Sequence, residues 1–534
     1  MTMTVDEVLT LAESLLTSGD AVTSASLYRK IIDAPHLFGV PASATSQGTA
    51  WRALGVIAGE AGNLAAAVAM TERSIQTDRS AASAVGWCNL GNLLCRQGNF
   101  DGALEAFQKA SDLGLTDWHV QLNYGILNLC LSNPEEAIKW LEKAFTTVPD
   151  DDLKIKNLTM DLGYARVMNG DFKVGFQLLN FFWSSPFSFP AGLFADPEAA
   201  ALQKNKKIKD TLPLRLPVWD FRRDPQGLEI RGKTLLICSN QGAGDAIQFY
   251  RFLPILAHNY QCNIHLSVPE QLVRLFKETI TADSIHVLDE RELILTNPIQ
   301  QSQEPFDTFL PISLVPEAIG LELEHLAGFY YGIPGKPDYP WLIFPEQQER
   351  ATNPDPHPNR SPDFKVGLVW AARQDQDTGP KRSIPLEDLL PLTAIPGTKF
   401  YGLQVGDKAK DIQSLGAQHL IEDLSPQIAD FRDLANAIIQ MDLTISCDTG
   451  PLHLAGAMGC PVLGLLSRTA SDWRWLDAFK YSFRSPWYPG MQLFRQRKHG
   501  DWSDCINYAK AFIIDHLTPN GHVVLSPDRD SGGQ

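Results

Sequence analysis

Hydrophobic and polar positions recur with a helical period in the first third of the chain. The segments 51–74 and 87–110 both carry W-x-x-L-G, followed by G-N and then by an alanine at the same spacing. This self-similarity is typical of tetratricopeptide units, each of which is a pair of antiparallel amphipathic helices. Further copies around Gly19, Gly125 and Gly163 predict an α-helical solenoid over about residues 5–183, within a first domain at 1–185.

The small residues of these repeats have a physical cause. Gly91 and Ala103 occupy positions where the two helices of a unit touch, and larger side chains there would push the helices apart. Stacked units bury a continuous core and leave a concave groove. We therefore expect a protein or peptide partner in the groove of the repeats.

After the repeats, short apolar runs of strand length alternate with helical segments. Strands are predicted at 234–239, 443–447 and 462–466, and helices at 246–257 and 452–458. This alternation predicts parallel sheets with helices on both faces. Because open α/β sheets bind ligands at the carboxyl ends of their strands, the loops of two such sheets are expected to face one cleft.

Proline-rich polar stretches set the predicted domain boundaries. The predicted order after the repeats is a linker at 186–227, an N-terminal Rossmann-like lobe on the acceptor side at 228–345, an interlobe linker at 346–363, a C-terminal Rossmann-like lobe on the donor side at 364–520, and a flexible tail at 521–534.

The composition argues against several classes of function. The formal net charge of -16 over 534 residues disfavours a nucleic-acid binder, which needs a concentrated basic surface. No apolar run approaches the ~20 residues that span a bilayer, and the acidic N-terminus lacks the pattern of an export signal. None of the eight cysteines forms a C-x-x-C pair, which disfavours a zinc site and predicts reduced thiols in a cytoplasmic protein.

The segment 443–466 carries the main candidate site. A buried strand ends in Asp448, Thr449 and Gly450, and a helix of small residues follows. The positive end of a helix attracts anions, Gly450 permits close approach of the backbone, and Thr449 and His453 add polar groups. The pattern predicts a phosphate or diphosphate site. Alternatively, Asp448 only caps the helix and His453 is a surface histidine; the spacing alone favours neither interpretation.

Three segments carry a family resemblance. DTGPLHLAGAMGCPVLGLL resembles the donor-diphosphate motif D-[ST]-G-x-x-H-x-A-x-A-x-G-x-P of glycosyltransferase family 9, the heptosyltransferase-like enzymes. QGAGDAIQFYRFLPIL resembles that family's G-D-x-x-H segment, with Gln248 in place of His, and VGLVWAARQDQDTGPKRSIPLEDLLPL resembles the start of its C-terminal lobe. With the repeats, the order of motifs resembles bacterial tetratricopeptide-containing glycosyltransferase-like proteins, and the architecture is similar to that of O-GlcNAc transferases. The resemblance implies a two-lobed glycosyltransferase of the GT-B type.

The resemblance also implies roles for charged residues. Lys381 and Arg382 are expected to contact the donor phosphates, chiefly Lys381; their alternative is a solvated charged loop. Asp245 matches the acid that the family uses as general base, and its alternative role is to cap a helix at Ala246. Further candidate contacts with donor or acceptor are Gly244, Gln248, Gln404 and Asp407.

Two further features concern the bound sugar nucleotide: the aromatic residues of segment 471–496 and the lack of a metal-binding D-x-D motif. Four aromatic side chains stack on a base or sugar or, as the commoner role, pack between the lobes: Trp473, Trp475, Trp487 and Tyr488. No D-x-D lies at a strand end in the catalytic lobes, so we expect metal-independent transfer, with a nucleotide-diphosphate sugar as donor substrate and no further cofactor.

The main hypothesis is a glycosyltransferase that moves a sugar from a nucleotide-diphosphate sugar to a protein, peptide or glycan acceptor selected by the repeats. A second is a catalytically silent scaffold that retains the fold and binds partners through its repeats. A third is a transferase acting on a glycan or lipid precursor, with repeats used only for assembly. The intact acids, the lysine and the Asp448–His453 motif favour an enzyme.

Overall fold

The computed structural model describes the repeats and both α/β lobes. The described residues are 3–33, 42–80, 83–149, 152–180, 219–239, 242–279, 285–291, 306–328, 340–347, 363–374, 379–469, 472–476 and 483–517. Most of the predicted linkers at 186–227 and 346–363, and the whole predicted tail at 521–534, lie outside them. Contacts divide the chain into two compact units, Met1–Ala165 and Arg166–Gln534.

The first unit consists of helices that pair in chain order. They are α1 (Val5–Thr17), α2 (Ala21–Asp33), α3 (Ala44–Glu60), α4 (Leu64–Thr77), α5 (Ala84–Gln97), α6 (Phe100–Asp112), α7 (Trp118–Cys130) and α8 (Pro134–Phe145). Helix α9 (Asp152–Met168) crosses the boundary between the units, and α10 (Phe172–Asn180) belongs to the second. The prediction of N-terminal helical repeats is confirmed.

The G-N step of the repeat marks the point where one helix ends and the next begins. Gly98 follows α5 with a φ of 78°, in the left-handed region that side chains disfavour. Asn99 then caps α6 by accepting a hydrogen bond from the backbone of its first turn at 3.1 Å. Gly62 and Asn63 repeat this arrangement between α3 and α4.

The small residues lie at helix contacts, as predicted. A Cβ atom on Gly91 would lie 2.3 Å from the ring of Phe107, and one on Gly125 would lie 2.6 Å from Leu141. Ala103 is fully buried in the same core as Phe107. Each glycine therefore makes room for a larger side chain of the helix that pairs with its own.

The second unit contains two sheets whose described strands are all parallel. The first has the order β3-β2-β1-β4, with β1 (Thr234–Cys238), β2 (Asn263–Val268), β3 (Ile285–Asp289) and β4 (Thr308–Pro311). Its helices are α11 (Ala243–Tyr250), α12 (Leu253–Tyr260), α13 (Glu270–Lys277), α14 (Val315–Ala318) and α15 (Leu323–Gly328).

The second sheet has the order β10-β9-β8-β5-β6-β7. Its strands are β5 (Phe364–Val369), β6 (Thr398–Gly402), β7 (Ile421–Asp423), β8 (Leu443–Cys447), β9 (Val462–Leu466) and β10 (Met491–Arg495). Its helices are α16 (Gly379–Arg382), α17 (Leu386–Leu389), α18 (Asp411–Ser414), α19 (Phe431–Ile439), α20 (Gly450–Ala457) and α21 (Ser503–Leu517), and a short 3-10 helix covers Trp473–Trp475.

The strand order reverses beside each predicted site. β1 lies between β2 and β4, and β5 lies between β6 and β8. Ligands of open α/β sheets bind outside the carboxyl ends of the strands at such reversals. Asp245, in the first turn of the helix that follows β1, and Asp448, directly after β8, lie next to strands at these reversals. The predicted α/β architecture of two parallel sheets is confirmed.

Two predicted helices differ from the observed ones. The helix predicted at 246–257 is two helices, α11 and α12, because Pro254 opens a new helix in whose first turn the missing N–H is not needed. The helix predicted at 452–458 begins at Gly450, since Pro451 suits the first turn. The strands predicted at 443–447 and 462–466 are observed with those bounds.

Helix α10 packs within the second unit. The ring of Phe172 stacks on that of Trp487 with centroids 5.4 Å apart, and the ring of Phe176 meets Trp473 edge-on at 5.5 Å. This aromatic contact explains why the first compact unit ends at Ala165, before the boundary at 185 that the repeat pattern predicts.

Candidate active site

The turn between β8 and α20 places polar groups at the start of a helix. Thr449 is the N-cap of α20, with extended backbone, and its side chain does not cap the helix. Instead, Thr449 Oγ1 donates to the Cys447 carbonyl at 3.3 Å and lies 3.3 Å from the Ser446 hydroxyl. The positive end of α20 therefore has no capping side chain from Thr449.

Asp448 is buried beside this helix start. Among the described residues, its Oδ2 atom has no hydrogen-bond partner, although Arg382 Nη1 lies 3.8 Å from it. Burial, and next the charge of Asp472, raise the pKa of Asp448 to about 6, against the opposing charge of Arg382. The alternative that Asp448 caps the helix is wrong, because Thr449 is the N-cap residue.

Arg382 and Lys381 lie in the one-turn helix α16. Arg382 Nη1 donates to the backbone carbonyl of Asp448 at 3.2 Å, so this cation is fixed next to the β8–α20 turn. Within the described part of the chain, Arg382 Nε is buried without a hydrogen-bond partner. Lys381 is partly exposed and, after burial, is the second cause of the lowered pKa of His499.

His453 lies inside the protein, so its interpretation as a surface histidine is wrong. Its Nδ1 atom is 2.6 Å from the Tyr488 hydroxyl, and its ring stacks on Trp475 with centroids 5.0 Å apart. Burial and then the charge of Arg474 lower the pKa of His453 to about 3. The imidazole is therefore neutral near pH 7.

Two glycines allow close packing around the start of α20. A Cβ atom on Gly244 would lie 2.6 Å from the His453 ring, so α11 of the first lobe touches α20 of the second. A Cβ atom on Gly450 would lie 3.1 Å from the Phe431 ring. The absence of a side chain at Gly450 thus lets α19 pack close to it, a packing role that was not predicted for this residue.

Asp245 lies in the first turn of α11, which begins at Ala243 rather than at Ala246. Its Oδ2 atom accepts a hydrogen bond of 2.9 Å from the backbone N–H of Gly242, which is the N-cap residue. Asp245 therefore contributes to the cap from the third helical position and is not the N-cap residue that the alternative predicted. Arg474 donates to its Oδ1 atom. Burial raises the pKa of Asp245, and Arg474 opposes that shift.

Arg474 is the residue that sequence reasoning missed. It is buried in the 3-10 helix of the second lobe, and its Nε atom donates to Gln248 Oε1 of the first lobe at 2.6 Å. Gln248, itself fully buried, therefore contacts a protein arginine. The available sign was an arginine between two tryptophans, preceded by Asp472, but its partners in the first lobe are more than 200 residues away.

Gln404 and Asp407 have other partners than the residues of this cluster. Gln404 Oε1 accepts from the backbone of Trp370 and Ala371 at 3.1 and 2.8 Å, and its amide donates to Val405. Asp407 is 96% exposed and pairs with Lys410 at 2.8 Å. Gln404 thus fixes the chain at the carboxyl end of β5, while Asp407 faces solvent.

The four aromatic candidates are all buried, which fits the packing role. Trp475 and Tyr488 contact His453, and Trp487 contacts Phe172. A cavity of about 400 Å³ lies elsewhere in the first lobe, lined by His265, Lys277, Thr279, Ile285, His286, Val287 and Leu288. Its lining contains none of the predicted site residues, and the clustered charges around α20 remain the better candidate.

One segment of each unit matches a known family. Residues 84–113, which span α5 and α6, match the tetratricopeptide repeat, and residues 413–475 match glycosyltransferase family 9 (heptosyltransferase). The second unit carries a glycosyltransferase family 9 segment. This family 9 segment includes the β8–α20 turn and Arg474, and it supports a glycosyltransferase.

Individual relatives are distant. Protein FlbA of Caulobacter vibrioides is 25% identical over 453 residues, which are 81% of this chain and 67% of FlbA. E. coli heptosyltransferase WaaC with ADP-2-deoxy-2-fluoro heptose is 13% identical and covers 53% of this chain and 99% of its own, with a TM-score of 0.34. PilF of Pseudomonas aeruginosa is 18% identical and covers 37% of this chain and 80% of its own, with a TM-score of 0.28.

Two further observations concern the cysteines and the length of the helices. All eight cysteines lie in the described part of the chain and are free thiols, as expected. Along the described residues, no helix has the length and apolar character needed to cross a bilayer.

Proposed function

We propose that the protein transfers a sugar from a nucleotide-diphosphate sugar to a protein, peptide or glycan acceptor in the cytoplasm. The repeats select the partner that carries or accompanies the acceptor. The transfer needs no metal, because cationic side chains and a helix start meet the charge of the diphosphate. The family 9 segment supports the class of reaction, and the finer assignments rest on the site.

The observation that carries the proposal is the β8–α20 turn at the strand-order reversal. It combines the positive end of α20 with Arg382, held 3.2 Å from the Asp448 carbonyl, and with the neighbouring Lys381. Two cations and a helix start favour a diphosphate, which leaves with the electron pair of its bond to the sugar. Asp448 adds a buried carboxylate oxygen that suits a hydroxyl donor of the nucleotide sugar.

Asp245 supplies the remaining chemistry. In the proposed reaction the acceptor oxygen attacks the anomeric carbon, the bond from that carbon to the diphosphate breaks, and the acceptor proton passes to the Asp245 carboxylate. Burial raises the pKa of Asp245, which favours its taking a proton. The contact between Gly244 and His453 supports an approach of the Asp245 turn to the donor side.

One observation favours the alternative of a silent scaffold. The Asp245 carboxylate already accepts hydrogen bonds from Arg474 and from the Gly242 backbone. Paired with a buried cation, this acid serves to hold α11 against the second lobe, whether or not a reaction takes place. A binding assay alone does not separate the two functions, so turnover must be measured.

The test uses the full chain with UDP-, GDP-, ADP- and TDP-sugars. We expect at least one of them to raise the melting temperature, since a ligand at about 100 times its Kd adds roughly 2.7 kcal/mol of stability. That ligand should also be converted to its nucleoside diphosphate in EDTA. Binding without conversion, with acceptor peptides and glycans present, supports the scaffold. Conversion that EDTA abolishes and magnesium restores refutes metal independence.

A further inference from the structure

Arg474 is a buried junction between the two lobes. Its Nε atom donates to Gln248 and its Nη2 atom to Asp245, both on α11 of the first lobe. Its Nη1 atom donates to Asp472 of its own lobe at 2.7 Å. The three nitrogens of the guanidinium thus each have a different acceptor, in the planar fork geometry that arginine offers.

Aromatic rings enclose this junction. The Arg474 guanidinium carbon lies 4.4 Å from the ring centroid of Trp473 and 5.5 Å from that of Phe249. Burial of the Arg474 guanidinium strengthens its charge interactions and makes it costly to leave this charge unpaired. Rotation of Arg474 away from Asp245 would therefore be unfavourable unless a second acid kept it paired.

Asp472 is that second acid. Burial alone would raise the pKa of Asp472, but the charge and hydrogen bonds of Arg474 outweigh burial and the pKa is lowered. For Asp245 burial prevails over Arg474, and the pKa is raised. The pKa values of the two carboxylates that share the Arg474 guanidinium thus differ in direction. Asp472 keeps its negative charge, and Asp245 is the carboxylate that accepts a proton.

We infer that Arg474 and Asp472 are positioning residues for proton transfer: Arg474 orients Asp245 toward the donor side, and Asp472 keeps Arg474 paired when Asp245 takes the acceptor's proton. This inference rests on the proposed function. The proton moves from the acceptor hydroxyl to Asp245, and the charge of Arg474 stays neutralised by Asp472 throughout. Two other titratable groups interact with this junction. His453 of α20 is neutral and adds no charge, and Asp448 has a pKa of about 6 that burial and Asp472 raise and that Arg382 and Arg474 lower.

A second arginine provides a matched control. Arg251 is also buried and lies at the end of α11, and its Nη1 atom donates across the lobes to the Trp487 carbonyl at 2.9 Å. Its guanidinium carbon is 4.1 Å from the ring centroid of Trp341. Arg251→Gln therefore removes a buried interlobe arginine of similar setting whose hydrogen bond goes to a backbone carbonyl instead of Asp245.

The experiment measures turnover against pH for full-length Arg474→Gln, Arg474→Lys, Asp472→Asn and Arg251→Gln, with the nucleotide sugar that the wild type converts. Loss of the cation in Arg474→Gln should lower kcat by about tenfold or more, with donor Kd within about twofold. It should also move the acidic side of the pH–rate profile to higher pH, because the pKa of Asp245 rises without the cation. Asp472→Asn should move this acidic side to lower pH, because Asp245 is then the one carboxylate hydrogen-bonded to Arg474 and its pKa falls. Arg474→Lys should partly restore the wild-type profile, and Arg251→Gln should leave it in place.

Two results would overturn the inference. One is an unmoved acidic side of the pH–rate profile in both Arg474→Gln and Asp472→Asn, and the other is an equal shift in Arg251→Gln. If Arg474→Gln does not fold, the opposite shift in Asp472→Asn still decides the outcome. If the wild type converts no donor, the proposed function fails. The contact itself is then tested by thermal unfolding, where Asp245→Asn and Arg474→Gln should lower the melting temperature less together than the sum of their separate effects.

Discussion

The segments that follow β1 and β8 have the same strand-to-helix arrangement, but their acidic residues differ in their charged and hydrogen-bonded partners. Each follows a buried parallel strand at a strand-order reversal and leads into an eight-residue helix. After β1 the acid, Asp245, lies inside the helix and is engaged by Arg474. After β8 the acid, Asp448, precedes the helix and keeps an oxygen without a hydrogen-bond partner among the described residues.

The difference indicates which turn acts on which part of a substrate. A carboxylate held by protein groups is fixed in orientation, which suits a proton acceptor whose distance to the reacting atom matters. A helix start with a nearby cation, and an acid oxygen that pairs with Arg382 only at 3.8 Å and accepts no hydrogen bond among the described residues, still has hydrogen-bonding capacity for a ligand. The comparison therefore assigns binding to the β8 turn and proton transfer to the β1 turn, and three substitutions test this division.

Asp245→Asn is expected to have the largest effect. It keeps an oxygen that accepts from Arg474 but removes the proton acceptor, and a positioned general base typically contributes roughly 10²–10⁴-fold in rate. We expect a fall of that size in nucleoside diphosphate release, with donor affinity almost unchanged by calorimetry. The exposed acid Asp407, changed to Asn, serves as control. Unchanged turnover, together with a lower melting temperature in Asp245→Ala, would leave Asp245 with a capping role alone.

Arg382→Gln should act on binding. Hydrogen bonds to charged groups contribute about 1.5–3 kcal/mol, so loss of this cation should weaken nucleoside diphosphate binding by about 10- to 100-fold. Nucleoside monophosphate binding should change less. Lys399→Gln is the control, since Lys399 pairs with Glu422 away from the β8–α20 turn. Equal losses for both nucleotides would place Arg382 outside the diphosphate site.

His453→Gln should change the pH dependence of stability by a few degrees in melting temperature. With a folded pKa of about 3, His453 contributes stability that is complete above its usual pKa near 6.5 and is lost as pH falls toward 3. Asp448, with a folded pKa of about 6, acts in the opposite sense and costs stability as pH rises from 4 through 6. In the variant, the melting temperature should therefore rise less, or fall more, than that of the wild type as pH rises over that range.

The control for this experiment is His419→Gln, which alters an exposed histidine of the same lobe. Its melting temperature should follow the wild-type dependence on pH. The interpretation of a buried, neutral His453 would be wrong if His453→Gln and the wild type lost stability in parallel between pH 6.5 and pH 4.

Local patterns in the sequence predicted the framework of the site. The strand at 443–447, the glycine-containing turn and the second strand at 462–466 follow from apolar runs bounded by breakers, because burial and chain reversal are decided over a few residues. The break between α11 and α12 also had a local sign in Pro254. The apolar residues on both sides of Pro254 keep a helical spacing, so the pattern predicted one continuous helix.

Arg474 could not be predicted in the same way. Its meaning depends on Asp245 and Gln248, which approach it only when the two lobes pack. The buried state of His453 likewise depends on Tyr488, 35 residues further on. A sequence reveals which residues are able to ionise, while the folded contacts decide which of them share a proton or a charge.

The paired glycines of the repeats limit how this protein can be re-engineered. Gly55 makes room for Thr71, Gly91 for Phe107 and Gly125 for Leu141. The position of the glycine is thus the same in each of these helix pairs, but the larger side chain that packs against it differs. A single helix transplanted from one repeat to another would bring a side chain of the wrong size to the glycine that faces it. The unit of exchange in a chimera is therefore the complete hairpin, with cut points between hairpins and never at the G-N step inside one.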